Sequence, residues 1–284
     1  MRDVQAGRKR AMLMAIAVRV GNHKDYNGGK MAGLIVPRDV GAENGIENFS
    51  RPNGSAPAEK ILIRPYETKD RDAVRRICCD TGVWGNPVES LFNDRELFAD
   101  LFTNAYLDHE PEWALVAEDH GRVVGYLLGS VCPNFDRVLI RSGFQTTLKM
   151  LGRLAAGRYA RHPRSRRFIR WLLTAGFWEQ PRHPARAAHL HFEIDKHHRG
   201  QGLARLFWLT YEKKLRAAGV KQCYGAFFSH PDRHPELVYS RFGFSIFDRK
   251  RTTMFEPEMS GPVEVVCIQK VLQPSLAVNG HSRA

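Results

Sequence analysis

Six consecutive residues, Arg199-Gly200-Gln201-Gly202-Leu203-Ala204, have the types and spacing to hold a phosphate. They stand between a strand-like run, Ala188 to Asp195, and a helix-like run, Gly202 to Ala218. A helix start carries N–H groups with no intrahelical partner, and the helix dipole adds positive potential at the same place. Glycines in such a turn let a pyrophosphate approach the backbone. The pattern has neither the Lys-Ser/Thr of a Walker loop nor the three-glycine spacing of a dinucleotide fold. Immediately before it, His189, His191, Glu193 and Asp195 alternate with Leu190, Phe192 and Ile194. Alternation in a strand sends the apolar set to one face, read as core, and the proton acceptors to the other. The chain is therefore expected to bind a phosphorylated cofactor beside a row of possible bases.

The pattern Arg-x-x-Gly-x-Ala over residues 199–204 resembles the coenzyme A loop of the GNAT N-acetyltransferase superfamily. Downstream, Tyr239 stands four residues before Gly243-Phe244, a spacing similar to that family's last core helix. Upstream, Ile63-Arg64-Pro65 and Thr68-Lys69-Asp70 look like its first strand and first helix. The resemblance runs from about Ile61 to Leu272 and is interrupted by one insertion, residues 133–187. It implies an α/β (α+β) fold: a central mixed, mainly antiparallel sheet flanked by helices, here with a basic helical insertion.

The resemblance also implies an activity, acetyl transfer from acetyl-CoA to an amine. Such a transfer needs a polarised thioester carbonyl, a deprotonated amine, donors for the oxyanion and a proton for the thiolate. In the family the pantetheine arm pairs with the strand before the loop, which brings Ile194 into the cofactor site with Arg199, Gly200, Gln201, Gly202, Leu203 and Ala204. Glu193 and His191 are the best general-base candidates, acting directly or through water. The family motif assigns Tyr239 as general acid to the thiolate. Asp195 is read as a loop cap, and His197 and His198 as solvent-facing. Arg199 is a candidate phosphate partner, although the family uses that position chiefly through its backbone. The chain departs from the family at Lys196, where Pro is frequent, and after the fifth strand, where the common Asn is missing and Ser229 is expected to take over its contact. No cysteine lies beside the loop in sequence, in keeping with direct attack in a ternary complex. Two alternatives stay open: a longer-chain acyl-CoA donor, or a non-catalytic CoA-binding or interaction module.

These residues need elements to carry them. Ile61-Leu62-Ile63 begins a strand, Thr68 is a plausible helix cap with Asp70 and Asp72 in the first turn, and Asp94 to Leu107 reads as a second helix. Trp113 to Glu118 and Arg122 to Val131 read as strands joined at Asp119-His120-Gly121. Within the insertion, Val138 to Tyr159 and Arg166 to Trp178 read as helices separated by His162-Pro163. The order then resumes with strand, loop, helix, the strand Gln222 to Phe228, the helix Pro235 to Phe242 and final strands ending with Val263 to Leu272. Residues 1–60 are rich in Gly, Asn and Arg without periodicity and are expected to be a disordered extension; residues 273–284 read as a loose tail.

The net charge of the 284 residues is +13. Between Arg137 and Arg186 twelve lysines and arginines face one acid, Glu179, so the excess belongs largely to the insertion. In the family this region lies near the acceptor cleft, so its arginines would favour an anionic acceptor. Its Phe and Trp residues also suit a membrane surface. Nucleic acid is a third partner that charge alone supports weakly, and a solvated basic cover is the plainest reading. The five cysteines show no CxxC and no paired spacing. No metal site is expected, and the composition suits a reducing, cytoplasmic setting. Cys223 and Cys267 are read as small core residues. The apolar run Ala11 to Val18 is short for a signal peptide, and no run approaches the ~20 residues of a membrane span.

Overall fold

The computed structural model describes residues 61–272 except 258 and 260. The expectations for residues 1–60 and 273–284 lie outside the described residues. Seven strands form one sheet in the order β1-β2-β3-β4-β5-β7-β6. They are β1 (Leu62–Pro65), β2 (Leu115–Asp119), β3 (Arg122–Ser130), β4 (Ala188–Ile194), β5 (Gln222–Ser229), β6 (Ser245–Thr252) and β7 (Val263–Val271). All neighbours are antiparallel except β4 and β5. Among the described residues the six α-helices are α1 (Arg71–Thr81), α2 (Arg95–Leu107), α3 (Phe135–Ala155), α4 (Pro163–Thr174), α5 (Leu203–Ala217) and α6 (Glu236–Ser240). This is the expected mixed, mainly antiparallel sheet flanked by helices, with α3 and α4 as the insertion.

Local chemistry explains most element ends. β2 and β3 are joined by His120 at φ 48° and Gly121 at φ 75°, the two left-handed residues of a tight hairpin turn. The first helix begins differently from the sequence expectation. Glu67, not Thr68, is the cap, and Thr68–Asp70 form a 3₁₀ turn ahead of α1. Asp70 accepts from the Glu67 N–H at 2.9 Å and is buried against Arg64, whose two terminal nitrogens donate to it at 2.7 and 2.9 Å. Thr68 cannot compete with a capping box completed by a buried ion pair. In the insertion, Pro163 opens α4 as its first residue rather than separating two helices. A proline lacks only an N–H that a first turn leaves unused.

The insertion is anchored to the core by one carboxylate. Asp94 caps α2 by accepting from the Leu97 N–H at 3.3 Å. It also accepts from Arg153 at 2.7 and 2.8 Å and from the Tyr159 hydroxyl at 2.6 Å. Burial pushes its carboxyl upward, but the Tyr159 and Arg153 hydrogen bonds outweigh burial and hold it below the usual range. Phe92 packs between Tyr159 and Phe168, with ring centroids at 5.6 and 5.0 Å. The fully buried Phe168 thus extends the core into the insertion, a contact worth about 3–5 kcal/mol against alanine.

Candidate active site

β4 is buried along its whole length. The polar set His189, His191 and Glu193 is as deeply covered as Leu190, Phe192 and Ile194. The reason is that helices cover both sheet faces. Phe192 meets Phe207 of α5 with centroids 6.3 Å apart, while His189 on the opposite face meets Tyr106 of α2.

The polar face is organised by hydrogen bonds. The Tyr106 hydroxyl lies 2.7 Å from His189 Nδ1, and burial lowers the His189 pKa to about 3. His189 is therefore a neutral, structural imidazole. Tyr126 of β3 reaches His191 Nε2 at 3.2 Å. His191 and Glu193 then line a small cavity with Cys78 of α1, Phe98 and Phe102 of α2, Phe168 of α4, Phe228 and Met254. Glu193 is the one carboxyl among the lining residues. No arginine of the insertion lines this cavity; the insertion contributes Phe168.

Beside this cavity the sheet opens. β4 and β5 pair at only two positions, Ala188 with Cys223 and His189 with Tyr224. From His191 onward the β5-facing edge of β4 has no strand partner, while its other edge stays paired with β3 through Ile194. The top of the opening is held by the Tyr211 hydroxyl, which donates to the His189 carbonyl at 2.8 Å. Gly129 makes room for it, since a Cβ there would sit 2.4 Å from that hydroxyl.

At the lower end β4 leads into the loop. Asp195 caps a 3₁₀ turn by accepting from the His197 N–H at 3.0 Å, as expected. His198 is not solvent-facing: it is half-buried and approaches Asp119 at 3.2 Å. Gly200 and Gly202 have φ of 77° and 80°, and a Cβ at either would meet nothing within 4 Å. The glycines thus serve a left-handed backbone as well as close approach, and the space in front of them is open. Gly202 is the N-cap of α5, so the N–H groups of Leu203 and Ala204 lie in its first turn. Gln201 is exposed, and its side chain donates to the His197 carbonyl at 3.2 Å.

Arg199 turns inward. Its Nε donates to the Ile194 carbonyl and its Nη2 to the Gly85 carbonyl, both at 3.1 Å. Arg233, after β5, donates to the Trp84 carbonyl at 2.9 Å and lies over the Trp84 ring. Burial, with Arg199 nearby, lowers the Arg233 pKa to about 10. Two guanidiniums therefore pin the turn at Trp84-Gly85 across the opening. Both residues of that turn have positive φ, 54° at Trp84 and 81° at Gly85. This turn and Cys78 escaped the sequence reading, although Gly85-Asn86-Pro87 is a turn signature. Ser229 is buried, and its hydroxyl donates within its own loop, to the Arg233 carbonyl and to Glu236.

Tyr239 lies on the other sheet face, in α6. It stacks on Phe227 at 5.1 Å and 5° and meets Phe192 edge-on at 6.2 Å. Burial first, and the Glu193 charge second, raise its phenol well above the ordinary value. β4 thus carries His191 and Glu193 on one face, while Tyr239 packs against Phe192 on the other.

No protein-family model matches the chain, and no curated protein matches it. Solved structures do resemble it. SsHAT is 25% identical and spans 75% of this chain and 98% of its own, with a TM-score of 0.47. An N-acetyltransferase from Staphylococcus aureus Mu50 is 12% identical over 76% of this chain and 100% of its own, TM-score 0.46. A GNAT superfamily phosphinothricin acetyltransferase from Sinorhizobium meliloti, solved with AcCoA, is 14% identical over 79% and 99%, TM-score 0.43. The mixed, mainly antiparallel sheet with its single parallel pair, and the glycine loop at the start of α5, are the arrangement that the resemblance to the GNAT N-acetyltransferase superfamily implies.

Proposed function

We propose that the protein is an acetyl-CoA-dependent N-acetyltransferase that acts by direct attack in a ternary complex. The observation that carries this reading is the early end of the β4–β5 pairing, directly above a glycine loop with open space before a helix N-terminus. The edge of β4 beyond its last β5 pair suits the amide groups of a pantetheine arm as an added strand, above the Ile194 carbonyl that Arg199 occupies. Backbone N–H groups from Gly200 to Ala204, with the α5 dipole, suit the pyrophosphate. Arg199 serves through its backbone, its guanidinium being engaged with Ile194 and Gly85. Ser229 supports this site by shaping the loop after β5.

In the reaction the amine nitrogen forms a bond to the acetyl carbon, and the carbon–sulfur bond breaks. Glu193, directly or through water, accepts the amine proton, with His191 as the neighbouring alternative. The β4 backbone polarises the carbonyl. Tyr239 returns a proton to the sulfur, and its raised pKa keeps that proton available at neutral pH. The cavity at Glu193 is about water-sized and has aromatic and aliphatic walls, so it takes only the amine end of the acceptor, and an uncharged neighbourhood of that amine fits it best. This reading departs from an anionic acceptor, since the insertion's arginines stand outside that wall.

The test is release of free thiol from acetyl-CoA against panels of aromatic, aliphatic and carboxylate-bearing amines. Turnover with apolar amines that falls about 100-fold or more in Glu193→Gln supports the reading. A covalently acetylated enzyme, or activity abolished by Cys78→Ala, would replace direct attack with a two-step path. Turnover only with long-chain acyl-CoA would move the donor to that class.

A further inference from the structure

One helix of the insertion has a second apolar face that the fold does not use. α3 packs on α2 through Gly143, Thr146, Thr147 and Met150. Flanking that strip, Phe144, Leu148 and Leu151 are 48%, 52% and 36% exposed. They follow one another at i, i+4 and i+7, so they form one stripe. The same spacing continues toward the N-terminus through the exposed Arg141 and Arg137. The stripe thus changes from apolar to cationic along one line.

The surrounding segment sharpens its character. Trp178, just beyond α4, is 60% exposed. The insertion's one acid between Arg137 and Arg186, Glu179, is turned inward and accepts from Trp171, Thr252 and Thr253. Asp136 is occupied by His183 at 3.3 Å. The outer face is therefore almost purely apolar and basic.

We infer that α3 docks this protein on an anionic lipid surface, with Phe144, Leu148 and Leu151 entering the headgroup boundary and Arg137 and Arg141 meeting lipid phosphates. An apolar stripe continued by arginines fits an interfacial helix lying in the bilayer plane. A second copy fits less well. Pairing two α3 helices would bring two strongly basic insertions together and set Arg137 and Arg141 in the seam. Nucleic acid has no use for an exposed Phe-Leu-Leu stripe between its phosphate contacts. Among the described residues no helix is long and apolar enough to cross a membrane, so the contact is a surface one.

The test is flotation of the full chain with vesicles of phosphatidylcholine alone and of mixed phosphatidylcholine and phosphatidylglycerol. Binding is expected to the anionic vesicles, weakening steeply with salt. A Phe144→Ser/Leu148→Ser double variant should lose at least about tenfold in partitioning while keeping the wild-type unfolding temperature, because both side chains are exposed. Arg137→Gln/Arg141→Gln should weaken binding and flatten its salt dependence. Absence of vesicle binding, equal binding to both vesicle types, or binding unchanged in the Ser variant overturns the inference. A concentration-dependent dimer by light scattering, lost in the same variant, would assign the stripe to a second copy instead.

Discussion

In the proposed reaction Glu193 and Tyr239 divide the proton chemistry between the two faces of one sheet. The division has physical consequences at each residue. Tyr239 is buried among Phe192, Phe227 and Phe244, so its phenolate is costly and its proton is retained. Tyr239→Phe keeps the packing and removes the donor. It should lower kcat by about 100-fold while leaving the Kd for acetyl-CoA nearly unchanged. The wild-type rate should show no alkaline fall from this group below about pH 10, its ordinary value, because its folded pKa lies higher. A fall in acetyl-CoA affinity with unchanged kcat would make Tyr239 a packing residue only. The sequence motif pointed to Tyr239, and alternation pointed to His191 and Glu193. Alternation also implied one polar face, whereas both faces of β4 are buried. A strand's period tells which residues share a face; it does not tell what covers that face. His189 shows the difference, since a Tyr106 contact made across the fold turns a possible base into a neutral strut.

Among the elements, the junction of α2 and α3 concentrates the most testable energy. Asp94 caps one helix and receives Arg153 of the other, with the Tyr159 hydroxyl closing the cluster. Asp94→Asn should cost about 2 kcal/mol in urea unfolding at neutral pH, since it removes the charge that Arg153 and Tyr159 hydrogen-bond and leaves Arg153 with Glu96 alone. The pH dependence has a definite sign. The folded pKa of Asp94 is depressed, so its contribution is fully present above the ordinary value near 4. It is lost as pH falls through the folded value. Wild-type stability should therefore drop below about pH 4 with a component that Asp94→Asn lacks. Parallel acid profiles for the two proteins would remove Asp94 from this role. Asp94 was legible as the start of a helix, but its partners lie about sixty residues downstream. Glu67 in place of Thr68 as the first cap has the same cause. The choice was made by Asp70 meeting Arg64 across the fold, a contact no local propensity contains.

For the whole molecule, the order of strands and the glycine loop could be read directly, because each depends on short-range patterns. The opening between β4 and β5 could not. It depends on where two strands distant in sequence stop pairing, and on the turn at Trp84-Gly85 being clamped by Arg199 and Arg233 from two other segments. The basic insertion was legible as charge, but its division into a buried Phe168 edge and an exposed Phe144 stripe required the fold. The central claim is that this opening and the loop below it bind acetyl-CoA. Its most direct test is calorimetric titration of acetyl-CoA into the wild type and a Gln201→Glu variant. Gln201 is exposed and does not require a left-handed backbone, so the variant places a negative charge at the loop without straining it. The account predicts binding to the wild type and at least about tenfold weaker binding to the variant, from repulsion of the pyrophosphate. No binding to the wild type, or equal affinity in both proteins, would contradict it.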